Sequence, residues 1–175
     1  MIATPARVSV PLLAFVCVWS QDAAPNPSAA AEAKQGLTRV MNNLVKAAEK
    51  VPEEDYSFRA TPEVRPFGQL IAHVADSQMR ACSMLNGSPK TPSAGSKTSK
   101  ADLVAALQDS VAECDKAAAS VTEANASEFL GSGYMHHSRL GMLYYITAHD
   151  NEMYGTMCVY MRLKNIVPPS SEPRK

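Results

Sequence analysis

Two histidines have the residue type and the spacing that chemistry could use, and the first of them is His149. It lies in a proline-free stretch, residues 138–164, in which apolar side chains recur at spacings of three and four: Met142, Ile146, Met153, Met157 and Tyr160. This spacing predicts a long helix whose apolar stripe, with His149 inside it, faces a core. An imidazole in such a stripe needs a hydrogen-bond partner or a metal ion. A core histidine bonded to a neighbouring helix is the alternative interpretation.

The second histidine, His73, lies at the border of the apolar face of another predicted helix, residues 66–85. Helical bundles hold metal ions by side chains that project inward from facing helices, so His73 and His149 could meet at one site. The alternative is a half-exposed histidine at a seam between two helices. Because zinc and iron sites usually have at least three protein ligands, the pair needs a third one.

The position one helical turn after His149 is the natural place for that third ligand, and it is Met153. A thioether is a poor ligand for zinc, nickel or ferrous iron and suits the softer cuprous ion. Met153 could equally be a packing residue of the apolar stripe, which is the interpretation that the spacing alone favours.

Carboxylates and further histidines lie near this pair in the sequence. Asp76 and Glu152 each follow one of the two histidines by three residues and could share a helical face with it, although we expect both to be solvated. His136 and His137 directly precede the last helix, and we expect solvated histidines at the rim of the bundle, unless one of them reaches over its mouth. The sequence contains no G-x-S-x-G motif, P-loop or C-x-x-C motif, so no other chemistry is indicated.

Four amphipathic stretches must position these side chains. They cover about residues 28–50, 66–85, 99–121 and 138–164, with no strand alternation between them. An all-α four-helix bundle is therefore predicted, and its long first and third loops leave the order of the helices open. In the first loop Tyr56 and Phe58 are expected to pack against the bundle, whereas the polar loop after the second helix is expected to be mobile.

The first residues of the chain read as a signal for export. Arg7 precedes the short apolar run 8–19, which predicts a signal peptide of residues 1–20, with cleavage after residue 23 as the alternative. The run is short for a membrane span. Cys17 suggests a lipid anchor, but we do not expect one because the three residues before it fit that signal poorly. We therefore expect a periplasmic or secreted protein.

The composition of the mature chain indicates a linker, one domain and a tail, and its net charge is close to zero. Lys plus Arg and Asp plus Glu are 17 each in the full chain, and removal of Arg7 with the signal peptide leaves 16 basic residues against 17 acidic ones. No excess of positive charge is present to neutralise phosphates, so nucleic-acid binding is not expected. We expect a flexible linker over residues 21–31, one bundle domain over residues 32–168 and a C-terminal tail over residues 169–175, disordered from Ser171.

Three cysteines remain after cleavage of the signal peptide: Cys82, Cys114 and Cys158. An odd number in an oxidising compartment leaves two arrangements open, which are one disulfide with one buried thiol, or three buried thiols. We prefer three packing thiols, since all three cysteines fall in predicted helices, where free cysteine behaves as a small apolar residue.

Two long stretches of the chain resemble the DinB family. They read VPEEDYSFRATPEVRPFGQLIAHVADSQ from Val51 to Gln78, and ITAHDNEMYGTMCVYMRLKNIVPPSSEP from Ile146 to Pro173. The resemblance covers essentially the mature domain, from about Glu32 to Pro173. It implies a four-helix bundle in up-down-down-up order, which fits the two long loops.

The same resemblance implies a divalent-metal site of three histidines, one on the second helix and two, spaced four apart, on the last. By motif the first two are His73 and His149, and the third position is Met153, where many relatives have histidine. The implied ion is zinc, nickel or iron. With Met153 in place, the site could bind weakly with water or a carboxylate as the third ligand, could have changed its metal, or could be filled by the methionine.

Two functions are compatible with this sequence. The first is an exported metal-binding bundle of unknown substrate with an altered or degenerate site. The alternative is an enzyme like the thiol transferases and isomerases that the resemblance implies, in which the metal activates a low-molecular-weight thiol. Export argues against the enzyme, because such thiols are mainly cytoplasmic. A small-molecule substrate and a homodimer are possible, although no residue pattern indicates the dimer.

Overall fold

A computed structural model of the chain describes residues 27–173, so the predicted signal peptide lies outside the described residues. Four α-helices carry the fold: α1 (Ala29–Lys50), α2 (Phe67–Leu85), α3 (Lys100–Ser120) and α4 (Arg139–Leu163). Short 3-10 helices occupy the connections, and two strands of two residues, β1 (Phe129–Leu130) and β2 (His137–Ser138), pair antiparallel before α4. The predicted all-α four-helix bundle is confirmed, and the small hairpin is an addition to it.

Serine side chains set where three of the helices begin. The hydroxyl group of Ser28 accepts the N–H of Ala31, and Ser99 and Ser138 do the same for α3 and α4. Such N-caps satisfy donors that the first turn of a helix leaves free. Because Ser28 caps the first helix, residues 29–31 form its first turn. This agrees with the helix predicted over about residues 28–50 and not with the linker predicted over residues 21–31.

Contacts between helix ends define the order of the helices. At one end of the pair formed by α2 and α4, the Tyr160 hydroxyl group near the end of α4 donates to the carbonyl oxygen of Arg65, just before α2 begins. At the other end of the same pair, Arg139 of α4 donates to the carbonyl oxygen of Leu85 at the end of α2. Helices α2 and α4 are therefore antiparallel. Helix α3 runs parallel to α2, because Gln78 meets Ser110 and, one turn on, Cys82 meets Cys114. Helix α1 runs parallel to α4, because Gly36 lies near Thr147 and Lys50 meets Val167 just after α4. These directions confirm the up-down-down-up order.

A disulfide bond joins the parallel helices α2 and α3. It links Cys82 and Cys114, both fully buried, while Cys158 is a free thiol. The preferred prediction of three packing thiols is therefore wrong, and the arrangement of one disulfide with one thiol is correct. The sequence could not show this, because spacing along a chain does not reveal which residues of two helices face each other.

The connections pack against the bundle more closely than their composition suggests. The Tyr56 hydroxyl group donates to the carbonyl oxygen of Ala48 at 2.6 Å, and the Phe58 ring packs edge-on against Tyr160. The predicted packing of both aromatic residues is confirmed. In the loop after α2, which was expected to be mobile, backbone N–H groups donate to the carboxylate of Asp76, so this loop is anchored to α2.

The C-terminal tail also lies against the bundle. The N–H of Ser170 donates to the Tyr154 hydroxyl group at 2.9 Å, and Lys50 donates to the carbonyl oxygen of Val167 and pairs with Glu172. The expected disorder from Ser171 is therefore wrong for the part of the tail that the structure describes. Within residues 27–173, no helix combines the length and the apolar composition that crossing a membrane requires.

Candidate functional site

The imidazole rings of His73 and His149 face each other across the seam between α2 and α4. Their Nε2 atoms are 3.1 Å apart, and the ring centroids are 5.0 Å apart. Both side chains are half-buried, and 17 % of the His149 side chain is exposed. The structure therefore brings together the two histidines that the sequence analysis selected, with their Nε2 atoms directed toward each other.

A buried chain of polar side chains supports His149 from behind. The carboxylate of Asp150, which has no exposed surface, lies 3.3 Å from His149 Nδ1 through its Oδ1 atom. Its other oxygen accepts a hydrogen bond of 2.7 Å from the Gln78 side-chain amide of α2. The Gln78 amide oxygen in turn accepts from the Ser110 hydroxyl group of α3 at 2.8 Å. Three helices thus contribute to one polar network that ends at the histidine pair.

The protein environment shifts the pKa values of Asp150 and His73. Burial raises the pKa of Asp150, and hydrogen bonds from His149 and Gln78 oppose this shift. Burial is also the main reason why the pKa of His73 is lowered, and the nearby His149 and Arg65 lower it further. His73 is therefore a neutral imidazole at neutral pH, which is the form that binds metal ions.

The network also assigns the tautomers of the two rings. Two nitrogen lone pairs cannot face each other at 3.1 Å, so one of the two Nε2 atoms carries a proton. The Nδ1 atom of His149 faces the Asp150 carboxylate, so Nδ1 carries the proton of this ring. The Nε2 atom of His149 is then the acceptor, and the Nε2–H of His73 is the donor. This assignment follows from the hydrogen-bond partners. No buried side-chain nitrogen or oxygen among the described residues lacks a hydrogen-bond partner.

The spacing of the pair also fits two ligands of one metal ion. Two imidazole nitrogens on a tetrahedral zinc ion, each about 2.0–2.1 Å from the metal, are roughly 3.3–3.4 Å apart. The observed 3.1 Å differs from this by a few tenths of an ångström. Within residues 27–173, no group of three or more His, Cys, Asp or Glu side chains is arranged so that it could hold one metal ion. The protein therefore offers two imidazoles, and a full coordination shell needs another kind of ligand.

Met153 is half-buried one helical turn beyond His149 and packs against the core. Two other residues of α4 contact the α2 side of the bundle: His149 through His73, and Tyr160 through the carbonyl oxygen of Arg65. On a helix of 3.6 residues per turn, position 153 lies between those two along the helix axis and within about 40° of both around it. Glu152 is exposed, as predicted.

The other predicted polar residues lie apart from the pair. Asp76 is not simply solvated as expected, because it accepts the N–H groups of Ala94 and Gly95 and so anchors the loop after α2. The His136 and His137 rings lie near backbone carbonyl oxygens of their own hairpin, at 3.3 and 3.0 Å. Among the described residues, neither ring makes a hydrogen bond to the histidine pair.

Three residues support the pair although the sequence had indicated no such role for them: Asp150, Gln78 and Ser110. A signal for Asp150 was present, because it also recurs at helical spacing with residues that the structure buries: Leu143, Ile146, Tyr154 and Met157. A carboxylate in the centre of such a stripe needs a partner in the core.

Comparisons with known proteins agree with this architecture. The model of the DinB superfamily matches residues 36–157. A DinB-like protein from Bacillus cereus ATCC 10987 superposes with a TM-score of 0.68 and 16 % identity, over 78 % of this chain and 93 % of that one. A conserved protein from Enterococcus faecalis superposes with a TM-score of 0.60 and 17 % identity, over 75 % of this chain and 94 % of that one. No curated protein matches the sequence.

At identities this low the two solved structures show a common fold alone. The family model, by contrast, covers more than half of the chain and includes both histidines of the pair. The chain therefore belongs to the DinB superfamily.

Proposed function

We propose that this protein is an exported metal-binding bundle in which His73 and His149 hold one metal ion. The observation that carries the proposal is the 3.1 Å distance between their Nε2 atoms, which project from facing helices toward one point. Zinc, nickel and iron in the divalent state are the ions expected from the resemblance. A metal ion held here by two protein nitrogens would act as a Lewis acid toward a bound small molecule.

Asp150 prepares His149 for this role. Metal-binding histidines commonly donate their second ring N–H to a carboxylate, which fixes the tautomer and the ring orientation. The Asp150 carboxylate lies on the Nδ1 side of His149, so the lone pair of Nε2 faces the pair. Gln78 and Ser110 hold the carboxylate in turn. The buried network therefore supports the proposal that His149 is a metal ligand, since the polar residues in the core fix the orientation of its ring.

Export is supported by the disulfide bond between Cys82 and Cys114. Disulfides persist in oxidising compartments and are rare in the reducing cytosol. The predicted signal peptide, residues 1–20, agrees with this location, and we propose a periplasmic or secreted protein without a lipid anchor. Fractionation of cells that express the full chain tests this, since a cytoplasmic product that keeps residues 1–20 would contradict it.

The thiol-transferase alternative uses the same site. The exposed 17 % of the His149 side chain gives a small thiol an approach to a metal held by the pair. We place this function second, because the disulfide favours a compartment in which low-molecular-weight thiols are scarce. A transfer assay is justified once metal binding has been established.

Elemental analysis of the purified mature protein tests the proposal. We expect close to one metal ion per chain in the parent protein and loss of that metal in His73→Ala and in His149→Ala. His136→Ala is the matched control, since this exposed histidine makes no hydrogen bond to the pair. Absence of metal from the parent after exposure to zinc, nickel, iron and copper salts would contradict the proposal. Equal loss in the His136→Ala control would do so too, because binding would then be unspecific.

A further inference from the structure

We propose that the ion this site selects is cuprous copper, with the Met153 thioether as the third ligand beside His73 and His149. This inference rests on the proposed metal-binding function and names its metal. It concerns the one position of the site where the resemblance implies a histidine and this chain has sulfur.

The first observation behind this proposal is the position of Met153 on α4. It lies one turn beyond His149 on α4, and side chains four residues apart on a helix are neighbours, with about 5–6 Å between Cβ atoms. It is half-buried on the side of α4 from which both His149 and Tyr160 contact the region of α2. A methionine side chain has three rotatable bonds and adapts to irregular gaps, so its sulfur atom has access to the seam.

The donor atoms carry the second step. Zinc, nickel and ferrous iron prefer imidazole, carboxylate or thiolate ligands, whereas thioether sulfur selects cuprous copper. Within residues 27–173, no further His, Cys, Asp or Glu joins the pair to make three such ligands. Two imidazoles and a thioether thus make a donor set that a soft ion fills and a harder divalent ion does not.

The charge of the site carries the third step. All three proposed ligands are neutral, so the bound ion keeps its full charge in a half-buried seam. Burying charge without compensation costs free energy that rises steeply with the charge, so a singly charged ion is favoured over a doubly charged one. Asp150 is not itself a ligand, because it lies behind His149 on the Nδ1 side of the ring.

Competition titrations test the inference directly. The mature protein is titrated anaerobically with Cu(I) against a chromophoric chelator, and separately with Zn(II), for the parent, Met153→Leu, Met153→His and His149→Ala. We expect Met153→Leu, which keeps the volume and removes the sulfur, to weaken Cu(I) binding by at least about 10–100-fold, because the loss of an outer-shell partner already costs that much and Met153 is a direct ligand. Met153→His should strengthen Zn(II) binding by a comparable factor, and His149→Ala should abolish binding of both ions.

X-ray absorption of the copper-loaded protein gives a readout that folding defects do not imitate. A copper–sulfur scattering contribution is expected in the parent and should be absent in Met153→Leu. Equal Cu(I) affinity in the parent and in Met153→Leu, with binding still dependent on His149, would overturn the inference and leave the proposed function intact. Binding of neither ion in a His149-dependent manner would overturn both. Tighter binding of Zn(II) than of Cu(I) by the parent would overturn the inference alone.

Discussion

The Asp150 carboxylate has no exposed surface and lies 3.3 Å from Nδ1 of its sequence neighbour His149, whose ring projects to the seam with α2. Consecutive residues on a helix are about 100° apart, so one points into the core while the next reaches its border. A backbone step of one residue thus connects the buried network of Gln78 and Ser110 to the half-buried histidine pair. The site is therefore held from inside the bundle.

Replacement of Asp150 by asparagine tests this relationship. An amide group has nearly the same shape, but it can present N–H groups as well as an oxygen, so it no longer fixes the tautomer of His149. We expect metal affinity to fall about 10–100-fold, as is typical when an outer-shell partner of a metal-binding histidine is removed. Isothermal titration of the mature protein with metal measures this.

Glu152→Gln is the matched control for the Asp150 substitution. It removes a carboxylate from the same turn of α4, but from the exposed surface. An equal loss of affinity in both variants would indicate a general effect of charge and would contradict the orienting role of Asp150. Nitrogen-15 chemical shifts of the His149 ring in the metal-free proteins provide a second readout, because the tautomer population should change only in Asp150→Asn.

The disulfide between α2 and α3 should supply a large part of the stability. Cys82 and Cys114 are 32 residues apart, and closing a loop of this size destabilises the unfolded chain by about 3–4 kcal/mol in the chain-entropy model. We expect the double variant Cys82→Ala/Cys114→Ala to lose at least that much free energy of unfolding in urea. A reducing agent should destabilise the parent and leave the double variant unchanged. Cys158→Ala, which removes the free half-buried thiol, should change stability little. An equal loss of unfolding free energy in Cys158→Ala and in the double variant would contradict the prediction.

The loop after α2 depends on one carboxylate. Asp76 accepts the N–H groups of Ala94 and Gly95 at 2.7 and 2.9 Å. Hydrogen bonds to charged groups contribute about 1.5–3 kcal/mol each, so Asp76→Ala should release the loop while the bundle stays folded. Faster hydrogen exchange at Ala94 and Gly95, without change in α4, is the expected result. Asp109→Ala removes an exposed carboxylate from the neighbouring helix and should leave the exchange of these two amides unaltered.

The sequence was sufficient for the helices because their signals are local. Periodic apolar residues and serine caps lie within one segment each, and the structure places the helix ends within one or two residues of the predicted positions. The hairpin was missed because each of its strands has two residues, which is too short for alternation to be visible. The histidine pair was found because polar rings in apolar stripes are conspicuous and because the motif resemblance connects them.

The residues that the sequence did not reveal all depend on which helices face each other. Gln78 joins Asp150 across 72 positions, and Cys82 joins Cys114 across 32. Each of these side chains taken alone is compatible with a surface position or with simple packing. Only the parallel alignment of α2 with α3, and the antiparallel alignment of α2 with α4, brings them into contact. Such alignment is a property of the packed bundle.

Glu113 should make the stability of the bundle depend on pH in the acid range. Its carboxylate is almost fully buried and receives hydrogen bonds from Lys90 and from Asn86, and these hold its pKa below the ordinary value of 4.5. Between the two pKa values the unfolded chain binds more protons than the folded one, so the free energy of unfolding rises with pH there. The contribution is fully present above about pH 5 and is lost as pH falls through the lowered pKa.

Glu113→Gln should therefore be less stable than the parent at pH 7, and the difference should shrink toward pH 3. Urea unfolding at a series of pH values measures this, with Asp115→Asn, an exposed carboxylate on the same helix, as the control. A difference that stays constant from pH 7 to pH 3 would contradict the prediction, because it would reflect packing and not charge.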